Sequence, residues 1–241
     1  MAQPALKTDE LTNVINSLVV KYRKPSAEEI VRLKNELGKA KKIKDAEYYD
    51  FLGRIAYLEN DRAKMIRHYE EALTHALFNK YDIQESYFFQ LHNSGLPFKA
   101  REQLKLITEK FPKKTEMLKN LAENNRILCR FREAHQIGVL LDVSFLNQAI
   151  AIFDKADLSD DEAENLCKLA YSLLEIKNLY FSTAKWEVID DCVFYTIYVD
   201  TPIKEVAKID FELSYLFAEQ LENMRDDVIV FEYKSVETLK K

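Results

Sequence analysis

The chain of 241 residues carries a formal net charge of −5, and 47% of its residues are hydrophobic. Four glycines and five prolines are few for this length, which favours long helices over an all-β fold with many turns. The sequence contains no run of about 18 apolar residues and does not open with a basic segment followed by an apolar one, so we predict neither a membrane span nor a secretory signal. Three widely spaced cysteines are typical of free thiols in a reducing compartment, so we expect a cytoplasmic protein.

The charge is distributed unevenly along the chain. Residues 1–45 have a net charge of +4, residues 46–153 of +1, and residues 154–241 of −10. An acidic C-terminal third disfavours a phosphate backbone as a ligand and favours basic partners. We therefore expect no nucleic-acid ligand.

Two amphipathic helices are predicted at the start of the chain. Apolar residues recur at helical spacing between Leu11 and Val19. Ser26, followed three residues later by Glu29, matches a capping box and predicts the start of the second helix. The residues expected to face inward on that helix are Ile30, Leu33 and Leu37.

The stretch 46–73 predicts two short amphipathic helices joined by a polar turn at residues 59–61. The apolar and small residues that form their inner faces are Tyr49, Leu52, Gly53, Ala56, Met65, Ile66, Tyr69, Ala72 and Leu73. One such hairpin cannot bury its own apolar face, so it needs neighbours.

Residues 81–112 and 115–142 repeat this pattern. The equivalent small positions are Met65, Ala100 and Ala134, at intervals of 35 and 34 residues. The pattern resembles the tetratricopeptide repeat, whose period is 34 residues, with about three degenerate repeats over residues 46–142. The resemblance implies a right-handed solenoid of αα-hairpins that binds a partner. Another αα-solenoid or a plain helical bundle is the alternative fold.

Beyond the repeats, residues 144–177 continue as helices, and residues 159–162 open the last of them with an N-terminal capping signal. The period then changes after Asn178. Residues 186–189, 193–199 and 228–233 are rich in β-branched and aromatic residues and predict strands, with a helix over residues 201–221. We therefore predict a mostly α fold, with a helical array over residues 1–178 and a small β-β-α-β unit over residues 179–241 docked on it.

Motifs for chemistry are absent. No Gly-rich phosphate loop, HExxH, EF-hand loop or GxSxG elbow occurs. His68 and His75 lie two helical turns apart but lack a third metal ligand nearby. Acidic pairs such as Asp160 and Asp161 stand at turns or helix starts, where Asp is expected for structural reasons. We expect neither catalysis nor a metal or other cofactor.

The resemblance also implies where a partner binds, because four positions on the first helix of each repeat line a concave groove. Here those positions are Glu47, Asp50, Arg54, Tyr57, Asp82, Glu85, Phe89, His92, Glu116, Lys119, Glu123 and Arg126. Exposed aromatic side chains are typical anchors, which favours a role for Tyr57, Phe89 and His92. An ordinary solvated face is the alternative interpretation. The Lys and Asn with which some family members clamp a terminal carboxylate are not matched, since Asp50 and Arg54 stand there.

These patterns lead to three functional hypotheses. The first is a non-catalytic module that binds a protein or peptide, such as a basic segment, through the groove, the acidic C-terminal unit or both. The second is a toxin-neutralising protein that binds a basic toxin, suggested by the modest size and the acidic C-terminal third. The third is an enzyme with a site where the array meets the C-terminal unit. The sequence leaves the partner and the oligomeric state open.

Overall fold

The computed structural model describes residues 8–20, 25–39, 45–77, 80–137, 143–220 and 228–240. These residues form eleven α-helices and a three-stranded sheet near the C-terminus, so the fold is mostly helical as predicted. The chain divides into two compact units, Met1–Leu91 and His92–Lys241, called here the N-terminal and C-terminal units. The domain boundary predicted at residue 178 marks a change of secondary structure and stays a prediction. The division after Leu91 reflects how the residues pack together. No helix in the described ranges is long and apolar enough to cross a membrane.

The N-terminal unit is built from the helices α1 (Thr8–Val20), α2 (Ala27–Lys39), α3 (Asp45–Leu58), α4 (Arg62–His75) and α5 (Lys80–Asn93). The last two residues of α5 belong to the C-terminal unit. The capping box predicted at Ser26 is confirmed, since the amide of Glu29 donates to Ser26 Oγ at 3.2 Å and the amide of Ser26 donates to Glu29 Oε2 at 2.7 Å. The predicted inner faces of the first two helices pack with α3 in one cluster of Leu11, Ile15, Ile30, Leu33, Leu37, Phe51 and Ile55.

Helices α3 and α4 approach closely at Gly53. A Cβ atom placed on Gly53 would lie 2.7 Å from Cε2 of Tyr69. The Tyr69 ring is fully buried and stacks on Tyr87 of α5, with ring centroids 4.9 Å apart and planes 13° apart. Its hydroxyl forms a hydrogen bond of 2.9 Å with Ser86 Oγ. Tyr69 therefore joins three helices, and Gly53 provides the space for its ring.

The C-terminal unit contains six further helices: α6 (Pro97–Lys110), α7 (Thr115–Ile127), α8 (Phe131–Gln136), α9 (Val143–Lys155), α10 (Asp160–Ile176) and α11 (Ile203–Gln220). The predicted capping signal of α10 is confirmed as a full capping box between Ser159 and Glu162. Of the third predicted repeat, residues 138–142 lie outside the described residues. Ala100 and Ala134, which the repeat pattern marks as small inward positions, are both buried, as is Met65 in the N-terminal unit.

The sheet has the order β1-β2-β3, with β1 (Phe181–Ile189), β2 (Cys192–Val199) and β3 (Ile229–Ser235). Strands β1 and β2 pair antiparallel through a tight turn at Asp190 and Asp191. Both of these residues have positive φ, 47° and 64°, as a two-residue type I′ hairpin turn requires. Strand β3 pairs parallel to β2, and α11 makes the crossover that a parallel connection needs. The predicted β-β-α-β order is confirmed.

One face of the sheet belongs to the same core as the helices of the C-terminal unit. The inward residues of β2 are fully buried in a cluster that extends from Ile127 to Tyr233. The Tyr195 hydroxyl of β2 donates to the Ile127 carbonyl at 3.0 Å. The Tyr171 hydroxyl of α10 lies 2.7 Å from the Tyr195 hydroxyl. At the outer side of β3, the Tyr233 amide donates to Asp210 Oδ1 of α11 at 2.8 Å. Side chains of both strands and helices therefore complete this core together.

The close approach at Gly53 predicts that Gly53→Ala destabilises the protein. An alanine would normally stabilise a helix interior relative to glycine, but here its methyl group would overlap a ring held on its other side by Tyr87. Overpacking of this kind costs about 1–3 kcal/mol. Urea unfolding should show a lower free energy of unfolding for the variant.

Gly38→Ala is the matched control, because Gly38 lies in α2 and an added Cβ meets no atom within 4 Å. This variant should be more stable than the wild type by about 0.5–1 kcal/mol. Equal effects of the two substitutions would contradict the assigned role of Gly53.

Candidate functional site

The four predicted positions on α3 differ in their environment. Asp50 is 9% exposed and pairs with Arg54, whose Nη2 lies 2.9 Å from Asp50 Oδ2. Burial raises the pKa of the Asp50 carboxyl, while Arg54 and hydrogen bonds from Ser86 and Tyr69 favour its ionised form. Asp50 thus forms part of a buried polar contact among α3, α4 and α5. Of the four positions, only Glu47 and Tyr57 lie outside the ion pair of Asp50 with Arg54, and both are partly exposed.

On α5, Asp82, Glu85 and Phe89 lie on one side of the helix because they are spaced by three and four residues. The Phe89 ring is 41% exposed, although its centroid lies only 4.7 Å from the buried Phe88 ring. Asp82 is exposed, and Glu85 accepts a hydrogen bond from the Tyr81 hydroxyl at 3.1 Å. We call Asp82, Glu85 and Phe89 the α5 face; it combines an aromatic side chain with two carboxylates.

His92, the next predicted position, lies in the C-terminal unit and is partly buried. Burial lowers the pKa of its imidazole to about 4. The ring is therefore neutral near pH 7 and brings no charge to a binding surface. Of the three aromatic residues expected as exposed anchors, Phe89 is exposed, while Tyr57 and His92 are partly buried.

The charges predicted on α7 neutralise one another. Glu116 Oε2 lies 3.5 Å from Lys119 Nζ, and Glu123 Oε2 lies 2.6 Å from Arg126 Nη2. The Arg126 guanidinium also lies 4.3 Å from the centre of the Trp186 ring in β1, a cation–π geometry. Lys119 and Arg126 therefore each have a partner within the C-terminal unit.

A cluster of charged residues that no sequence motif marks lies in the same unit. Arg130 contacts Glu133, Glu164 and Asp161, the last at 2.5 Å. Arg101 of α6 contacts Glu133 at 2.5 Å and lies 3.6 Å from Glu164. The two guanidinium groups and Glu164 are largely buried. Because carboxylates offset both cations, the cluster joins α6, α8 and α10 rather than forming an anion site.

Two of the three cysteine side chains lie in the core of the C-terminal unit. Cys129 and Cys167 are buried and free. The thiol of Cys167 donates to the Ile127 carbonyl at 3.2 Å, and burial raises its pKa well above the ordinary value, so it stays protonated and unreactive. Within the described ranges, no three His, Cys, Asp or Glu side chains come together as a metal site.

No protein-family model, curated protein or solved structure matches this chain. The resemblance to the tetratricopeptide repeat therefore stays a prediction from the sequence.

The lowered pKa of His92 predicts a pH dependence of stability. In the unfolded chain His92 gains a proton near its ordinary pKa of 6.5, whereas in the folded chain it gains one only near pH 4. Acidification therefore favours the unfolded state between these values. From pH 7 to 4.5 the wild type should lose about 2–3 kcal/mol more unfolding free energy than His92→Gln.

Urea unfolding at several pH values measures this difference. His135→Gln is the control for the substitution itself, because His135 is exposed on α8. An identical pH dependence for wild type and His92→Gln would show that His92 is not desolvated in the folded state.

Proposed function

We propose that this chain is a non-catalytic protein-binding module and that the α5 face is its principal contact surface. The observation that carries the proposal is the exposed Phe89 ring beside two carboxylates, on a helix whose other side packs into the N-terminal unit. Binding energy usually concentrates in such aromatic anchors. We further propose that the helix pairs are tetratricopeptide-like repeats; the fit of Tyr69 to Gly53 and the burial of positions 65, 100 and 134 support this.

The other two predicted faces offer less to a partner. On α3, the carboxylate of Asp50 is buried with Arg54. On α7, the charges are paired along the helix. By contrast, Asp82 has no ion-pair partner within the described ranges and is exposed. The α5 face therefore supports the proposal better than the α3 or α7 positions.

The charge on α5 indicates the chemistry of the partner. Lys80 is the one Lys or Arg of the helix, and it stands nine residues from Phe89, about two and a half turns away. It therefore lies on the opposite side from the α5 face. A partner segment that combines an apolar side chain with Lys or Arg would complement Phe89, Asp82 and Glu85.

Binding to the partner should depend on Phe89. The partner is first identified by affinity capture from the source cell with the tagged wild type, followed by mass spectrometry. Calorimetry with the purified partner should then show that Phe89→Ala weakens binding by about 30-fold, as expected for loss of an anchor worth about 2 kcal/mol. Asp82→Lys should also weaken binding, and its effect should shrink at high salt.

Leu106→Ala is the matched control, because Leu106 is similarly exposed at 39% and belongs to α6 rather than to the α5 face. It should leave affinity unchanged. If Phe89→Ala and Asp82→Lys both bind the captured partner as the wild type does, the α5 face is not the contact surface.

A further inference from the structure

Helix α11 has two different faces. Val206, Ile209 and Leu213 are buried in the core of the C-terminal unit. Phe211 and Tyr215, on the opposite side, are 73% and 60% exposed. The two rings are four residues apart and therefore adjacent on the helix surface, and contiguous exposed apolar surface is typical of an interface.

The exposed side follows a regular spacing. Lys204, Lys208, Phe211, Tyr215 and Ala218 are separated alternately by four and three residues, which is the spacing of a helix–helix seam. We call these five residues the α11 stripe. Beside it stand Ala207 and Ser214, both exposed, whose small side chains let another helix approach closely.

The two lysines of the α11 stripe have no partner within the described ranges. The other lysines whose side chains are described between residues 154 and 240 each contact a carboxylate or an aromatic ring. They are Lys155, Lys168, Lys177, Lys185 and Lys234. In a segment with twice as many acidic as basic residues, two uncompensated lysines beside two open aromatic rings leave both kinds of group available to a partner.

We propose that a second copy of this chain binds the α11 stripe, with the two α11 helices antiparallel about a twofold axis. The lysines occupy the N-terminal half of the stripe, and the aromatic residues occupy its C-terminal half, followed by the exposed Glu219. Antiparallel pairing places the lysines of one copy against the aromatic rings and Glu219 of the other. Parallel pairing would instead place lysine against lysine.

The charges on the neighbouring sides of α11 leave the stripe available. Glu212 is held by Lys177 of α10, whose Nζ lies 2.6 Å from its Oε2. Glu219 is exposed and has no ion-pair partner within the described ranges. In the antiparallel arrangement it is the carboxylate that lies opposite Lys204 of a second copy. A single helix pair is a small interface, so we expect a dimer in the micromolar range.

Sedimentation equilibrium on the full chain tests the proposal over about 1–500 µM. The wild type should pass from monomer to dimer, and Phe211→Ala with Tyr215→Ala should stay monomeric. Because both residues are exposed, the double variant should keep the wild-type fold, as circular dichroism can check. Leu77→Ala is the matched control, since Leu77 is 83% exposed in the N-terminal unit, and it should dimerise like the wild type.

Charge exchange tests the antiparallel arrangement. Lys204→Glu alone should weaken dimerisation, because it would face Glu219 of the other copy. Adding Glu219→Lys should restore it, since the pair is then reversed between copies. A wild type that stays monomeric throughout, or a dimer that survives loss of both aromatic rings, overturns the proposal; failure of the second substitution to restore dimerisation overturns the antiparallel arrangement. The outcome does not depend on the proposed function, which concerns α5.

Discussion

The N-terminal unit depends on the position of one phenol ring. Tyr69 lies between Gly53 on α3 and Tyr87 on α5, and its hydroxyl meets Ser86. A ring so placed fixes the distance between α3 and α4 and the approach of α5 to both. Dense packing tolerates little change of volume at such a point. The orientation of the α5 face follows from it, because Tyr87, which stacks on Tyr69, lies on the opposite side of α5.

In the C-terminal unit, polar groups inside an apolar core set the position of the sheet. The Ile127 carbonyl accepts from Tyr195 of β2 and from Cys167 of α10, and the Tyr233 hydroxyl of β3 donates to the Ala170 carbonyl of α10. Apolar packing alone permits sliding between a sheet and a helix. Buried hydrogen bonds penalise it, because a displaced hydroxyl or carbonyl would be left without a partner. The tyrosines therefore specify one placement of the strands.

The sequence predicted best those features that depend on nearby residues. Both capping boxes, the polar turn of the first hairpin and the β-β-α-β order follow from spacing and residue type within a few positions. The burial of Asp50 could not be predicted in this way, because it depends on contacts with Tyr69 and Ser86, which are distant in the chain. The same holds for the contacts of Arg130 with α10. On α11, Phe211 and Tyr215 are exposed although both are aromatic, and their residue type alone does not mark them as surface residues.

The hydrogen bond from the Tyr233 amide to Asp210 has a consequence for how the sheet can grow. Strand β3 pairs only with β2 in the described sheet, so its outer amides would be open to an incoming strand. Asp210 takes one of them in the middle of that edge. A foreign or misfolded strand would have to displace this carboxylate before it could extend the sheet at β3. Strand β3 is thereby protected at this point against strand recruitment, whether in aggregation or in the evolution of a larger sheet.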